Sequence, residues 1–223
     1  MVGKEVGDPG KPSKGGVVDE VSSSLSPEFI YGQFAEAWTS TRSFEEAGKK
    51  RPRLTKDLLD WFRKEGRARG YQVYPDRVEM AKEYLNDLCW CVEADGTPQT
   101  GSWTYRGIAL ALESELERAW DEILYDFHKL LDVKAPLKIL ICAPNRHQLE
   151  ILSARISSQI KEHMFGTPSE HYLVIALGPK VVNGWSFDHT GANSTSEPPP
   201  NERSSPGIFD YPTWQMQGAG VPG

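Results

Sequence analysis

The chain has 223 residues, 39% hydrophobic and 25% charged, which suits one globular domain with polar extensions. No run approaches the ~18 uninterrupted apolar residues of a membrane span. Met1 leads into a polar stretch with no apolar leader core, so neither a membrane protein nor a secreted one is expected. Three cysteines, Cys89, Cys91 and Cys142, lack framework spacing, which argues against a disulfide scaffold and for a reducing, cytoplasmic setting. The net charge of -6 argues against a generally adhesive nucleic-acid binder. Residues 49–70 depart from that average, with nine Lys/Arg against three Asp/Glu.

Residues 1–26 are rich in Gly, Ser, Lys and Asp and read as a disordered arm. Ile30, Phe34 and Trp38, spaced by four, predict a helix over Phe29 to Phe44. Leu54, Leu58, Trp61 and Phe62 predict a second amphipathic helix, broken at Gly66 and Gly70. Tyr84 to Val92 reads as a strand, followed by the turn signal at 94–98 and a second strand, Tyr105 to Glu115, in a hairpin. Ile123, Leu124, Phe127, Leu130 and Leu131 make the stripe of a core-facing helix, which Pro136 stops. A strand over Leu137 to Ala143 follows. Asn145 and Gln148 have capping-box spacing ahead of a helix whose face is Leu149, Leu152, Ile156 and Ile160. Tyr172 to Leu177 is a last, continuously apolar strand, and such strands around a helix suggest a parallel pair. The fold class is α/β, a mixed sheet flanked by helices, with the domain at 27–184 and a Pro/Gly/Ser-rich tail over 185–223. Phe209, Tyr211, Trp214 and Met216 offer that tail apolar anchors.

Charge inside apolar strands needs a reason, because an unpaired carboxylate is expensive in low dielectric. Asp87 interrupts the first apolar strand, and Glu113 and Glu115, two apart, share one face of the next. In a hairpin the three carboxylates come together, repel one another and call for a cation. Hard oxygen donors of this kind suit Mg²⁺ or Mn²⁺. On the following helix, Glu122, Asp126 and Lys129 flank the apolar stripe. Lys129 is either a snorkelling surface residue or an ammonium reaching over the sheet to stabilise developing negative charge. Glu79 and Glu83, just upstream, are further candidates for the acidic cluster.

Asp87 in one strand and Glu113-Ser114-Glu115 in the next resemble the PD-(D/E)xK nuclease superfamily, the restriction-endonuclease-like fold. The stretch 109–143, with its Phe127-His128-Lys129-Leu130-Leu131 segment, is the most family-like, and the resemblance covers roughly residues 50–180. It implies a divalent-metal-dependent nuclease, with DNA the default substrate ahead of RNA. Asp87 and Glu113 would bind metal, Glu115 would bind a second metal or position water, and Lys129 would replace the motif lysine. The sequence departs from the pattern in having Glu115 at the lysine position and Asn86, not proline, before Asp87. Assembly state stays open, although a nuclease that cuts both strands often works as a homodimer. Arg63, Lys64, Arg67 and Arg69 are the candidate phosphate contacts, whose binding would be strongly salt-dependent.

Rival readings are fewer. Cys89 and Cys91 read as small buried strand residues, since Cys-x-Cys without nearby partners lacks zinc-site spacing. His147 follows a strand end, where ligand-facing residues of open sheets lie, but a surface histidine suits the position better. No nucleophile elbow, Walker loop or Gly-x-Gly-x-x-Gly motif occurs. The alternative from another class is a catalytically inactive nuclease-like fold that binds nucleic acid or protein.

Overall fold

The computed structural model describes residues 25–40, 51–75, 86–94, 104–117, 119–178 and 182–193. In chain order the elements are α1 (Pro27–Ser40), α2 (Arg51–Ala68), β1 (Gln72–Tyr74), β2 (Leu88–Ala94) and β3 (Thr104–Glu115). They continue with α3 (Trp120–Asp132), β4 (Leu137–Cys142), α4 (Arg146–Glu162), β5 (His171–Leu177) and β6 (Val182–Asp188). The six strands lie side by side in sequence order as one open sheet. β1, β2 and β3 form an antiparallel meander, β3, β4 and β5 run parallel, and β6 closes the far edge antiparallel to β5. The expected α/β class and mixed sheet are therefore present. Among the described residues no helix is long and apolar enough to cross a membrane.

Strand alternation divides the core into two layers. Leu88, Trp90, Leu110, Leu112, Ile139, Ile141 and Ile175 pack with Ile30 and Phe34 of α1 and Leu58 and Phe62 of α2. Cys89, Ala111, Leu140, Cys142 and Val174 face the other way, against Ile123, Phe127 and Leu130 of α3 and Leu152 and Ile156 of α4. The sheet is thus sandwiched between two helix pairs. The parallel order of β3, β4 and β5 follows from the crossovers through α3 and α4, which cover the face that Glu113 and Glu115 share.

Several local expectations need correction. Gly66 does not break α2; the helix runs through it to Ala68. A Cβ at Gly66 would lie 2.5 Å from the Trp90 indole, which is fixed by its Nε1–H donating to the Phe62 carbonyl at 3.0 Å. The glycine serves close approach of helix and sheet. Gly66→Ala is therefore expected to destabilise the fold by about 1–3 kcal/mol through overpacking. That sign opposes the ~1 kcal/mol gain alanine brings to an unconstrained helix site, so thermal unfolding reads it directly. Pro136 does not stop α3 either, since the helix ends at Asp132. Residues 182–188 form β6, so the sheet continues past residue 184 into what reads as tail in the sequence. β2 begins at Leu88, not Tyr84; Asn86 and Asp87 lie on a bend before it, and 81–85 fall outside the described residues.

β4 is buried at every position, including Lys138. Its ammonium donates to Glu170 Oε2 at 2.9 Å and, more weakly, to the Leu131 carbonyl and Tyr172 hydroxyl, both at 3.3 Å. Burial pulls the Lys138 pKa down, and the Glu170 carboxylate opposes that shift. The capping box forms as expected: Asn145 accepts from the Gln148 N–H at 2.9 Å, and Gln148 accepts from the Asn145 N–H at 2.8 Å.

Candidate active site

β2 and β3 pair with Leu88 opposite Leu112, so the bend carrying Asn86 and Asp87 meets the C-terminal end of β3. Asp87 is held there by Ser114: the backbone N–H and the hydroxyl each donate to Oδ2 at 2.8 Å. Glu113, one residue earlier, is fully buried. Asn86 Nδ2 donates to its Oε1 at 2.8 Å, and Lys129 Nζ donates to its Oε2 at 2.8 Å. Lys129 reaches this point from the third turn of α3 and also pairs with Asp126, one turn back, at 2.8 Å. Its side chain keeps 27% exposure, so it approaches from the wet side while Glu113 lies underneath.

The electrostatics follow from that depth. Burial pushes the Glu113 carboxyl up, the Asp87 charge adds to the shift, and the bonds from Lys129 and Asn86 offset only part, leaving it at about 7. Lys129 is pulled down by partial burial. Its bonds and charge interactions with Asp126 and Glu113 outweigh that and hold it above the ordinary lysine range. The pair is unequal because the ammonium has two carboxylates and partial exposure, whereas Glu113 has one ammonium and no exposed surface. Glu115 lies two residues along the same face, where it accepts from the Glu117 N–H. Burial raises its carboxyl, the Glu117 bond opposes, and the charges of Asp126, Glu117 and Glu122 raise it further.

The structure therefore gathers Asp87, Glu113, Lys129 and Asp126, with Glu115 at the border beside Asp126. Sequence reasoning passed over Asn86 and Ser114 as partners, although both adjoin acidic residues it selected. Glu79 and Glu83 lie outside the described residues. The cysteines are free and buried. Burial raises the Cys89 thiol, and Cys91 and Glu113 add to the shift; the Cys142 thiol is pushed up to about 12 by burial and Glu115. Both are inert thiols of the core. His147 is exposed in the first turn of α4.

The basic segment also requires correction. Arg63 is buried; its Nε donates to the Pro75 carbonyl at 3.2 Å and its Nη1 to Asp60 Oδ1 at 2.9 Å. Arg69 pairs with Glu65 at 3.3 Å, donates to Gln33 and lies over the Phe29 and Trp90 rings. Both arginines hold the body together, because an amphipathic helix that covers a sheet spends part of its charge on its own borders. Lys64 and Arg67 are exposed. They lie on α2, across the sheet from Lys129.

As donors, Asp87, on the bend before β2, and Glu113, in β3, are hard carboxylates near each other, and burial makes a negative charge on Glu113 costly. That chemistry fits Mg²⁺ or Mn²⁺. Both Glu113 oxygens and Asp87 Oδ2 are engaged by protein partners, and among the described residues no three His, Cys, Asp or Glu side chains are arranged to hold a metal. Comparison with protein-family models, curated proteins and solved structures finds no match for this chain.

Proposed function

We propose that the protein is a divalent-metal-dependent nuclease of the PD-(D/E)xK type, hydrolysing phosphodiester bonds, of DNA in preference to RNA. The observation that carries this reading is the fully buried Glu113, hydrogen-bonded by an ammonium from α3 and set beside Asp87 at the end of the β2–β3 hairpin. A buried carboxylate with a raised proton affinity is costly to the fold, and such cost concentrates at functional sites. The order of a helix, a strand hairpin, a helix and further strands is the one the resemblance leads one to expect, and it supports the reading.

Asp87 and Glu113 would hold Mg²⁺ or Mn²⁺, with Glu115 at the border as a further oxygen donor. When bound, the ion would supply Lewis-acid polarisation of a phosphate oxygen. Ser114 fixes Asp87 through two bonds to one oxygen, and Asn86, on the bend before β2, fixes Glu113. Lys129 places positive charge where negative charge develops on the phosphate. Lys56, Lys64 and Arg67 are exposed among the described residues of the basic segment and would meet the backbone at a distance from the reacting group. Relaxation of supercoiled plasmid in Mg²⁺ or Mn²⁺, abolished by EDTA, is the expected result; unchanged plasmid in both metals would sink the reading.

A second reading is an inactive nuclease-like fold that serves as a binding module. It is favoured by the two protein partners that take both Glu113 oxygens and by the Glu115 carboxylate's acceptance from the Glu117 N–H. Binding of DNA without cleavage under the same conditions would select it.

A further inference from the structure

We propose that two cation–aromatic pairs on α3, Lys129 with Tyr125 and Arg155 with Trp120, form a track for a single nucleic-acid strand. The inference rests on the nuclease reading above and narrows its substrate to strands whose bases are unpaired. Tyr125 is 63% exposed on α3, and the Lys129 ammonium lies 5.7 Å from its ring centre. Covering that ring would recover hydrophobic stabilisation that the chain alone leaves unused. Trp120, the first residue of α3, is half-buried, and the Arg155 guanidinium of α4 lies 5.0 Å from its ring centre. His128 meets Gln159 at 2.8 Å and Asp132 meets His163 at 3.7 Å, so α3 and α4 run side by side. That arrangement brings Arg155, one turn before Gln159, to α3.

Arg155 differs from the arginines that hold the body together. It is exposed, and among the described residues no carboxylate pairs with it. A guanidinium laid on an indole face keeps its N–H donors at the edge of the stack, free for phosphate oxygens. Tyr125 and Trp120 are five residues apart, roughly 7.5 Å along the helix axis, or about two nucleotide steps. Bases stack on aromatic rings whatever their identity, while neighbouring cations hold the phosphates between them. A duplex hides its base faces and could use the cations alone. The Lys129 end of the track meets Glu113 at 2.8 Å, so a strand seated on it passes the candidate active site. Asp121, exposed one turn before Tyr125, is a carboxylate that the strand must pass, and its charge opposes binding.

Fluorescence anisotropy of a labelled oligothymidylate, and of a labelled duplex of equal length, tests this on the full chain in EDTA. Wild type is expected to bind the single strand about tenfold more tightly than the duplex. Tyr125→Ala should weaken single-strand binding about tenfold, and Tyr125→Phe should leave it unchanged. Arg155→Gln should weaken it and lower the slope of log affinity against log salt by about 0.7, whereas Arg155→Lys should keep the slope. Asp121→Asn should tighten it. All three positions are exposed, and circular dichroism checks that each variant is folded. Equal affinity of wild type for duplex and single strand overturns the track. So does wild-type affinity in both Tyr125→Ala and Arg155→Gln, and so does a wild type that binds no single strand. Plasmid relaxation by wild type in Mg²⁺ or Mn²⁺, measured in parallel, leaves the nuclease reading standing in each of those cases. Its absence with the expected binding pattern intact overturns the nuclease reading and leaves the track.

Discussion

Glu113→Gln is expected to give a chain that is more stable than wild type at pH 8 and that has lost at least roughly a hundredfold of any metal-dependent cleavage. The two effects have one cause. Glu113 is fully buried, and its carboxyl stands at about 7 against an ordinary 4.5. Because the folded state holds this proton more tightly than the unfolded chain does, the stabilising contribution is complete below about pH 4.5. It declines as pH rises to about 7 and is gone above it. The carboxylate at pH 8 thus costs the fold up to about 3 kcal/mol relative to a neutral group. A glutamine fills the same volume and accepts from Lys129, and the Asn86 amide can turn to accept from its NH₂. Lys129 keeps Asp126. Allowing for the weaker bond from Lys129 to a neutral oxygen, the net gain is about 1–3 kcal/mol at pH 8, shrinking toward zero near pH 5. Denaturant melts of both proteins at the two pH values read it. A variant no more stable than wild type at pH 8 would mean that the ion pair with Lys129, not burial, dominates at Glu113.

Lys138→Ala is expected to cost about 3–5 kcal/mol, the largest stability loss anticipated for a single substitution here. The reason is what it leaves behind. Lys138 is the only cation bonded to Glu170 in the described structure, and both are buried with the Tyr172 hydroxyl, which donates to the same Glu170 oxygen at 3.1 Å. Without the ammonium, Glu170 becomes a buried charge with a single neutral donor, and the C-terminal Leu131 carbonyl of α3 loses a cation at the negative end of the helix. Lys138→Met paired with Glu170→Gln removes both charges and preserves volume, so it should recover most of the loss. Equilibrium unfolding of the three variants distinguishes the cases. A loss under about 1 kcal/mol for Lys138→Ala would show that water, not the lysine, satisfies Glu170.

Lys129, on α3, and Lys138, on β4, show how far sequence reasoning reaches. The rule that a charge inside an apolar strand requires a partner led to Glu113, and alternation placed Glu115 on the same face. The same rule applied to Leu137–Cys142 marks Lys138, which was passed over because the strand otherwise reads as featureless core. Lys129 had two readings from its helical position alone; only the chain fold, which lays α3 over the end of β3, brings it to Glu113. β1, at three residues, is too short to show a period, and β6 carries Asn183, Gly184 and Ser186, which read as loop until β5 supplies a partner. Gly184 packs against the Tyr31 ring of α1, and Ser186 donates to Glu28, so the glycine and the serine serve the seat of α1. Gly66 misled in the same way: a residue that reads as a break in one dimension is a point of close contact in three. Arg63 and Arg69 show the converse, since a count of basic residues does not reveal which of them the fold uses internally.

Cleavage of supercoiled plasmid and single-stranded DNA by the purified chain tests the central claim most directly. It is run with Mg²⁺, with Mn²⁺ and with EDTA, beside Asp87→Asn and Glu113→Gln proteins shown to be folded. The account predicts cutting by wild type in at least one metal, none in EDTA, and loss in both variants. Equal background from all three proteins in every condition would contradict it.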